Sequence, residues 1–397
     1  MKIILFSNFI NHHQLPLAHA FREIPGVEYT FVATTPFNAA ERQAMGYKDE
    51  NNAHDFVLRA YESKEAEQKA HALAKTGDIV IVGSAPDQYM AERLALGKVT
   101  FHTSERYFKK GLNWKTFPRY FASALKHIHP YQHQPLYYLC SSAYTAVDVN
   151  TFASFPDRCF KWAYFTEVKP FDLQLLFKKK KENKKPIILW AGRFLDLKHP
   201  DAAVRTAAYL KKRGYSFEMN LIGGGTMQHQ LEDLISQFEL QDTVKLLGFA
   251  PPQQVRQHME QADIFLFTSD FNEGWGAVLN EAMSSGCAVV ASHACGSTPF
   301  LVKNGVNGFI YQYGQENQLF TATEKLLTLA ELRTQFGTRA YQDMDHLWNA
   351  HVAANRLIQL HQAIQEGTAS TLYQDGPCSL APSISQKEMY EYIVHNR

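Results

Sequence analysis

The sequence predicts an α/β protein with two Rossmann-like, doubly wound domains, each a parallel sheet covered by helices. Short β-branched or aromatic runs alternate with longer helical patterns in both halves of the 397 residues, and a lysine-rich stretch separates the halves. The runs are apolar enough to be buried on both faces, which is typical of parallel strands beneath helices. A chain of this length accommodates two such domains.

The predicted first domain spans residues 1–167 and contains five strands. They are KIILFSN (2–8), VEYTFVATT (27–35), DIVIVGS (78–84), KVTFHTS (98–104) and LYYLCSS (136–142). The clearest helical patterns between them are LPLAHAFREI (15–24) and ESKEAEQKAHALAK (62–75). This alternation predicts one doubly wound sheet for the first half.

A linker is predicted over residues 168–185, because the six lysines and one glutamate within 178–185 are unsuited to burial. The second domain, 186–366, contains six predicted strands. They are PIILWAGRF (186–194), FEMNLIGGG (217–225), VKLLGF (244–249), IFLFTS (264–269), AVVAS (288–292) and GFIYQ (308–312). The turn-rich tail, 367–397, ends in a predicted helix, SQKEMYEYIVHNR, that we expect to return to the first domain.

Composition disfavours several classes of protein. Forty basic and 39 acidic residues give a net charge of +1, so no overall field favours nucleic acid. The five cysteines are scattered and contain no Cys-x-x-Cys pair, as in reduced cytoplasmic proteins without a zinc site. The N-terminus lacks a signal-peptide pattern, and no apolar stretch is long enough to span a bilayer. We therefore expect a cytoplasmic protein, whose contact with a membrane is limited to the inner surface.

Two loops that follow strands of the second domain suit a phosphate ligand. In AGRFLDLKHP, Arg193 follows a strand and Lys198 precedes a helix start, where two cations and the helix dipole favour a diphosphate. A pair of surface cations is the alternative. In IGGGTM, Gly224 is the centre of three glycines that permit close approach to a ligand or simply form a tight turn. The motif is not Gly-x-Gly-x-x-Gly, which disfavours a dehydrogenase.

Two further loops suit the rest of a nucleotide sugar. Gly248 and Phe249 end a strand in LLGFAPPQQV, where either a base packs or the chain simply turns into the next helix. In FNEGWGAVLNEAM, Glu273 and Glu281 flank a glycine-rich turn that opens a helix. A carboxylate accepts two hydrogen bonds at once, which suits the vicinal hydroxyls of a ribose or a sugar. Capping or solvation is the alternative for such acids.

Together these motifs resemble the retaining glycosyltransferases of family four. The resemblance rests on Glu-x7-Glu at Glu273 and Glu281, on Gly-x-Gly after the first acid, on the upstream Gly-Arg…Lys, and on the Leu-Gly-Phe loop. It runs through residues 186–360, whereas the first half matches in rhythm and only loosely in motif. The resemblance implies the GT-B architecture, in which two Rossmann-like domains face each other across a cleft that holds a sugar nucleotide.

The resemblance also implies a role for each motif residue. Arg193 and Lys198 would neutralise the donor diphosphate and support the leaving group, and Glu281 would hold the ribose hydroxyls. Gly248 and Phe249 would face the base. The donor sugar would be held by one carboxylate and three backbone amides, those of Glu273, Gly274, Trp275 and Gly276. The family often has Phe where Trp275 stands, a difference that bears on sugar preference.

In the first half, the resemblance implies that His102, in KVTFHTSER, lies near the transferred sugar and binds a sugar hydroxyl. A structural histidine at a strand end is the alternative. The first loop, SNFINHHQ (7–14), departs from the paired glycines of many members. The side chains of Asn11, His12 and His13 would bind substrate in their place, or would merely cap the following helix.

The predicted reaction is the transfer of a sugar, with retained anomeric configuration, from a nucleotide-diphosphate donor to a glycan or lipid-linked acceptor. The departing phosphate would help to deprotonate the acceptor. A UDP-sugar is favoured over a GDP-sugar, and no other cofactor is expected. Two cations at the diphosphate make a metal ion unnecessary for neutralising its charge. The one Asp-x-Asp, Asp343 and Asp345, lies in a helical stretch near the C-terminus, and we expect it on the surface.

Residues 106–126 suggest contact with an anionic membrane surface, because each cation near such a bilayer contributes about 1 kcal/mol. The basic residues are Arg106, Lys109, Lys110, Lys115, Arg119 and Lys126, interleaved with Tyr107, Phe108, Trp114, Phe117, Tyr120 and Phe121. This pattern favours a lipid-linked acceptor and the synthesis of surface polysaccharide or glycolipid. The alternative is a locally basic helical hairpin packed by its own aromatic residues.

Two rival functions fit the same motifs. A sugar-nucleotide 2-epimerase uses a related two-domain architecture, but needs acids arranged for proton abstraction and elimination. A non-catalytic sugar-nucleotide-binding subunit would bind donor without turnover. A glycogen-type phosphorylase is disfavoured by the chain length and by the lack of a recognisable lysine site for a pyridoxal cofactor.

Overall fold

The computed structural model describes residues 1–38 and 48–395, which form two compact units. The first unit comprises Met1–Glu167 and Trp348–Ser385, and the second comprises Val168–Leu347 and Gln386–Arg397. Each unit is built around one sheet whose neighbouring strands pair in parallel. The predicted fold class, two doubly wound α/β domains, is therefore confirmed.

The first unit has a seven-stranded sheet in the order β3-β2-β1-β4-β5-β6-β7 among the described residues. Its strands are β1 (Lys2–Ser7), β2 (Glu28–Ala33), β3 (Val57–Arg59), β4 (Ile79–Val82), β5 (Thr100–Ser104), β6 (Leu136–Cys140) and β7 (Cys159–Lys161). Its helices are α1 (Leu15–Arg22), α2 (Lys64–Thr76), α3 (Gln88–Leu94), α4 (Phe117–His127), α5 (Thr145–Phe152) and, from the end of the chain, α14 (Ala350–Glu366). The order reverses between β1 and β4, so the loops after these strands flank the usual ligand position of such a sheet.

The second unit has a six-stranded sheet in the order β10-β9-β8-β11-β12-β13 among the described residues. Its strands are β8 (Ile187–Ala191), β9 (Glu218–Ile222), β10 (Val244–Gly248), β11 (Ile264–Phe267), β12 (Ala288–Ser292) and β13 (Gly308–Tyr311). Its helices are α6 (Leu173–Lys181), α7 (Pro200–Lys212), α8 (Gln228–Gln237), α9 (Pro252–Gln261), α10 (Val278–Met283), α11 (Thr298–Leu301), α12 (Glu316–Thr328), α13 (Ala330–His346) and α15 (Met389–His395). Here the order reverses between β8 and β11.

Every strand predicted from the sequence is present, slightly shortened, because each of those runs is a buried apolar core of a parallel sheet. The prediction missed β3 and β7, which have three residues each. Such short strands contain too few alternating positions to stand out, and each ends in a cation, Arg59 or Lys161. Lys161 is 6% exposed and its ammonium pairs with Asp375 at 2.7 Å, a partner that is distant in sequence.

The predicted solvated linker over residues 168–185 is wrong for its central part, which is the helix α6. Asp172 caps this helix by accepting hydrogen bonds from the backbone N–H groups of Gln174 and Leu175. Lys180, which we expected in solvent, is 5% exposed. Its ammonium donates to four backbone carbonyls of the second unit, those of Met259, Ala262, Ser285 and Gly286. Burial lowers the pKa of Lys180, although neighbouring carboxylates and Cys287 oppose the shift.

The end of the chain also differs from the prediction. Helix α14 belongs to the first unit, where it packs on α1, rather than to the second domain. The segment after it stays with the first unit, since the N–H of Cys378 donates to the carbonyl of Lys161 at 2.9 Å. The final helix, α15, belongs to the second unit, where Tyr390 Oη donates to Gln318 Oε1 at 3.0 Å. The last two residues of the predicted helix lie outside the described range.

No helix among the described residues is long and apolar enough to cross a bilayer. The Asp-x-Asp pair lies on α13, as expected for a helical stretch. Asp343 is not a plain surface residue, however, because its Oδ2 accepts a hydrogen bond from Asn307 Nδ2 at 2.7 Å and Lys303 lies 3.4 Å from its other oxygen. This carboxylate holds the turn before β13.

Candidate functional site

The carboxyl-end loops of the second sheet are held together by glycines. After β8, the N–H of Phe194 donates to the carbonyl of Gly224 at 2.8 Å. A Cβ on Gly223 would lie 1.8 Å from the carbonyl oxygen of Gly192, and one on Gly225 would lie 2.5 Å from that of Phe194. Two of the three glycines in IGGGTM are therefore required by packing. Gly224 has nothing within 4 Å of its Cβ position, so it presents open backbone.

The structure joins two of the predicted site residues directly. Lys198 ends a single 3-10 turn, Asp196–Lys198, and its ammonium forms an ion pair with Glu273 Oε2. Ser269 Oγ donates to the same carboxylate oxygen at 3.3 Å. The Lys198 loop follows β8 and the Glu273 loop follows β11, so the pair lies where the strand order reverses. This is the expected ligand position of a doubly wound sheet.

Arg193 lies in the same loop as Lys198 but points outward. Its side chain is exposed, and its guanidinium makes no hydrogen bond or ion pair with another residue in 1–38 or 48–395. An unpaired guanidinium in the same loop as a largely buried ammonium suits the binding of a doubly charged anion. Of the two predicted cations, Arg193 is thus unpaired, whereas the charge of Lys198 is neutralised by Glu273.

Gly248 and Phe249 lie next to the glycine loop. The N–H of Gly223 donates to the carbonyl of Gly248 at 2.8 Å, which brings the ends of β9 and β10 together. Gly248 has a φ of 72°, a left-handed conformation that glycine adopts without strain. Phe249 is 60% exposed, so its ring offers a flat apolar surface at this edge. The exposed ring is compatible with the predicted contact with a base, which stays a prediction.

The turn that contains Gly274, Trp275 and Gly276 is tightly packed against the protein interior. A Cβ on Gly276, whose φ is 79°, would lie 2.4 Å from Phe267 Cζ, so no larger residue fits. Trp275 is 0% exposed, and its indole N–H donates to Asn280 Oδ1 at 2.8 Å. The side chain of Trp275 is therefore enclosed by the protein, and an influence of this residue on sugar preference stays a prediction. Only its backbone amide remains a candidate for donor binding.

Glu281 lies in α10, one turn after the helix begins. Its carboxyl group accepts no hydrogen bond from a described residue of the second unit, and its backbone carbonyl accepts one from Arg256 Nη1 at 2.8 Å. Burial raises the pKa of Glu281 to about 7, although Arg256 opposes the shift. A carboxyl group held in this way suits a ligand hydroxyl as its partner.

His102 lies in β5 of the first unit, and both of its ring nitrogens have partners. Nδ1 lies 2.8 Å from the carbonyl oxygen of Val82, and Nε2 lies 3.0 Å from Tyr107 Oη. A carbonyl only accepts, so Nδ1 carries the proton and Nε2 accepts from the tyrosine. Burial lowers the pKa of His102, which keeps the ring neutral. These two partners support the alternative that His102 is a structural histidine. A sugar hydroxyl could bind Nε2 only by replacing the hydroxyl of Tyr107.

The first loop of the first unit supports the capping alternative for Asn11. Its Oδ1 accepts a hydrogen bond from the N–H of His13 at 2.9 Å, and its carbonyl accepts from the N–H groups that open α1. The rings of His12 and His13 are tilted by 46° to each other, with centroids 3.8 Å apart. Burial lowers the pKa of His12, an effect that Glu50 opposes, and lowers that of His13 to about 3. These imidazoles are neutral, and binding of substrate by His12 stays a prediction.

The basic and aromatic segment divides into two parts. Arg106 is buried and lies 3.5 Å from Asp148, so its assignment to a membrane-facing surface is wrong. That carboxylate also accepts from two backbone N–H groups, which makes the pair part of the core. Beyond it, α4 buries only Ala124. The large apolar residues of this region that remain exposed are Leu112, Trp114, Phe117, Phe121 and Leu125.

Sequence reasoning missed the residues that set the geometry of the Lys198 loop. Thr268 Oγ1 donates to the carbonyl of Lys198, and the N–H of Asp270 donates to that of Leu197 at 2.9 Å. His199 Nε2 lies 3.5 Å from Asp270 Oδ2. Burial alone would raise the pKa of Asp270, but hydrogen bonds from His199 and Asn272 lower it. The available signal was the run of polar residues directly after the buried strand IFLF.

Comparison with known proteins finds related sequences for the second unit. Residues 173–343 match the family described as glycosyl transferases group 1. The chain is 30% identical over 178 residues to the amylovoran biosynthesis glycosyltransferase AmsK of Erwinia amylovora, with 44% of each chain covered. It is 28% identical over 157 residues to N-acetylgalactosamine-N,N'-diacetylbacillosaminyl-diphospho-undecaprenol 4-alpha-N-acetylgalactosaminyltransferase of Campylobacter jejuni, covering 40% of this chain and 41% of that protein. The chain thus spans less than half the length of these relatives.

The fold is similar to that of several solved structures, among them WaaG, a glycosyltransferase involved in lipopolysaccharide biosynthesis, with a TM-score of 0.60 at 13% identity, covering 91% of this chain and 99% of that one. The crystal structure of Anabaena Alr3699/HepE in complex with UDP superposes with a TM-score of 0.64 at 16% identity, covering 92% of this chain and all of that one. An identity this low establishes the fold and no more. The resemblance to glycosyltransferases that the motifs indicated is confirmed, and with it the GT-B fold class, and residues 173–343 match the family described as glycosyl transferases group 1.

Proposed function

We propose that this protein is a retaining glycosyltransferase that moves a sugar from a nucleoside-diphosphate donor, with UDP favoured as the nucleotide, to a glycan or lipid-linked acceptor. The observation that carries the proposal is the ion pair between Lys198 and Glu273 at the reversal of strand order. Its two members lie on neighbouring loops and have opposite charges, as a donor with an anionic diphosphate and a neutral sugar requires.

Donor binding would exchange the partners of this pair. The ammonium of Lys198, with the free guanidinium of Arg193, would neutralise the diphosphate. Glu273, released from Lys198, would accept hydrogen bonds from sugar hydroxyls. The open backbone at Gly224 and the exposed ring of Phe249 leave room for the nucleotide, and the carboxylate of Glu281 would accept from both ribose hydroxyls.

The chemical step follows from the same charges. As the bond between the sugar and the diphosphate breaks, negative charge grows on the departing phosphate oxygen, and the two cations would stabilise it. The acceptor hydroxyl would transfer its proton to that oxygen as it attacks the same face of the sugar, which retains the anomeric configuration. Since the cations neutralise the diphosphate, we expect turnover to persist in excess EDTA.

The acceptor proposal rests on the relatives and on α4. One relative is named for amylovoran biosynthesis and the other for a diphospho-undecaprenol acceptor, so both names point to surface glycans or lipid carriers. The exposed apolar residues on and before α4, flanked by Lys115, Arg119 and Lys126, suit an anionic bilayer surface. We therefore propose a cytoplasmic enzyme that works at the inner membrane surface.

A donor screen followed by product analysis tests the proposed function. Melting temperature is measured with UDP-, GDP- and ADP-sugars, and the best donor is incubated with a glycan or polyprenyl acceptor, with and without EDTA. We expect stabilisation by one nucleotide class and a product whose anomeric proton coupling matches the donor. An inverted product would contradict the retaining mechanism. Binding without transfer to any acceptor would favour a non-catalytic subunit, and a new epimer from the donor alone would favour a 2-epimerase.

A further inference from the structure

Thr268 joins three parts of the second unit around the loop that carries Lys198. It directly follows β11 and is 1% exposed. Its Oγ1 accepts a hydrogen bond from Trp190 Nε1 at 2.8 Å. Its hydroxyl donates to the carbonyl oxygen of Lys198 at 2.6 Å, and the carbonyl oxygen of His199, 3.0 Å away, is a second acceptor. One buried hydroxyl therefore ties the interior of β8 to the backbone at Lys198.

The Lys198 loop has little regular structure of its own. It consists of one 3-10 turn, and His199 after it has φ 48° and ψ 53°, a left-handed conformation that costs a non-glycine residue roughly 1 kcal/mol or more. Contacts from the loop after β11 hold it in place. Besides Thr268, the N–H of Asp270 donates to the carbonyl of Leu197. The backbone of Lys198 is thus fixed from outside.

The side chain of Lys198 leaves this loop along a defined path. A Cβ on Gly192 would lie 3.3 Å from Lys198 Cδ and 3.2 Å from the Trp190 ring, so the alkyl chain runs over Gly192 beside the indole. The side chain is 15% exposed, which leaves the ammonium few directions. Thr268 anchors the backbone at Lys198 and also accepts a hydrogen bond from Trp190, whose indole lies beside the Lys198 side chain. A change at Thr268 would therefore shift the loop and, with it, the ammonium of Lys198.

We propose that Thr268 is a positioning residue for Lys198, holding its ammonium where it meets the donor diphosphate. This inference rests on the proposed function. A point charge binds a diphosphate best at one distance, and a displacement of about 1 Å is enough to weaken such an interaction strongly. Thr268 itself would not touch the donor.

The test uses the full chain and the nucleoside diphosphate, among UDP, GDP and ADP, that the wild type binds most tightly by titration calorimetry. Thr268→Val keeps the shape and removes the hydroxyl, and we expect it to weaken binding roughly three- to tenfold. Thr268→Ser restores the hydroxyl and should restore the affinity. Thr323→Val is the matched control, because Thr323 is equally buried in the same unit and donates only within α12. Equal weakening by both valine variants would overturn the inference.

A double-mutant cycle separates positioning from general damage. If Thr268 acts through Lys198, adding Thr268→Val to Lys198→Ala causes no further loss of affinity. Multiplied losses in the double variant would contradict the inference while leaving the site assignment intact. If Lys198→Ala binds as tightly as the wild type, or the wild type binds none of the three nucleotides, the proposed function fails instead. Should Thr268→Val not fold, Thr268→Cys, with a weaker donor, should give an intermediate loss, and full affinity would count against the inference.

Discussion

At the scale of single residues, the partners of a side chain decide what it is available to do. Lys198 and Glu273 neutralise each other, whereas the carboxyl group of Glu281 is kept partly protonated by burial. Trp275 and His102 both have internal partners that occupy their polar atoms. Of these five residues, Lys198, Glu273 and Glu281 therefore offer a charge that a ligand could bind.

Glu281 has a pH signature of its own. Its pKa in the folded protein, about 7, lies above the ordinary value of 4.5, so the folded state favours the protonated form. Stability from this group is complete below about pH 4.5 and falls as pH rises to 7. We expect Glu281→Gln to raise the free energy of unfolding at pH 8 by roughly 2–3 kcal/mol, and to change it little at pH 4.5. Chemical denaturation at both pH values measures this, and equal effects at both would contradict it.

The same residue links donor affinity to pH. If the carboxylate of Glu281 accepts from both ribose hydroxyls, nucleotide binding weakens as pH falls below about 7, because the protonated form loses acceptor capacity. In Glu281→Gln, binding is weak throughout and this pH dependence disappears. Calorimetric titration from pH 5.5 to 8.5 is the measurement. A pH profile that Glu281→Gln leaves unchanged would assign the dependence to another group.

Substitutions at the adjacent residues Gly223 and Gly224 should have different effects on stability and on nucleotide affinity. Gly223→Ala forces a Cβ to 1.8 Å from a backbone oxygen at a φ of 147°, and we expect a loss of about 3 kcal/mol or more in stability. Gly224→Ala meets nothing within 4 Å, so the fold should keep its stability while nucleotide affinity falls if the ligand passes close to this backbone. Urea denaturation and nucleotide titration of both variants decide the matter. Equal destabilisation would show that the loop can relax.

At the scale of elements, two helices have surroundings that their composition does not reveal. Helix α6 is a lysine-rich segment fixed by one buried ammonium, and α4 exposes apolar side chains that a soluble helix normally covers. Each allows a matched test within the chain.

Lys180 should contribute strongly to stability. Lys180→Met leaves four buried carbonyls without their shared donor, at the ends of α9 and α10, and we expect a loss of about 3 kcal/mol. Lys181→Met, one residue on and exposed, should change stability by about 0.5 kcal/mol or less. Thermal and urea unfolding of the two variants compare them directly. Similar values would mean that water replaces the ammonium.

Helix α4 is tested by two identical substitutions. Leu125→Glu places a charge on its exposed apolar side, and we expect reduced flotation with phosphatidylglycerol vesicles. Leu329→Glu, in the second unit, changes a leucine of nearly equal exposure, 47% against 45%, and should leave flotation unchanged. A wild-type protein that stays with the soluble fraction would instead support the locally basic hairpin.

At the scale of the whole molecule, the two sheets were predictable because their strands are local apolar runs. The sequence also placed Lys198 and Glu273 in loops that follow strands, whereas the strand order that makes these loops neighbours, with its reversal between β8 and β11, is known only from the structure. The burial of Lys180 could not be predicted, because the carbonyl groups that accept its hydrogen bonds lie 79 to 106 residues away in the sequence. The placement of α15 in the second unit and the hydrogen bond of His102 to the carbonyl of Val82 likewise depend on tertiary contacts that no local pattern encodes.

The central claim is that the second unit binds the pyrophosphate of a nucleotide through Lys198 and Arg193. The most direct measurement is the affinity of the full chain for a nucleoside diphosphate relative to its monophosphate, in the wild type and in Lys198→Ala and Arg193→Ala. We expect the wild type to prefer the diphosphate by roughly tenfold or more, and each variant to lose most of that preference. Equal preference in all three proteins would contradict the claim.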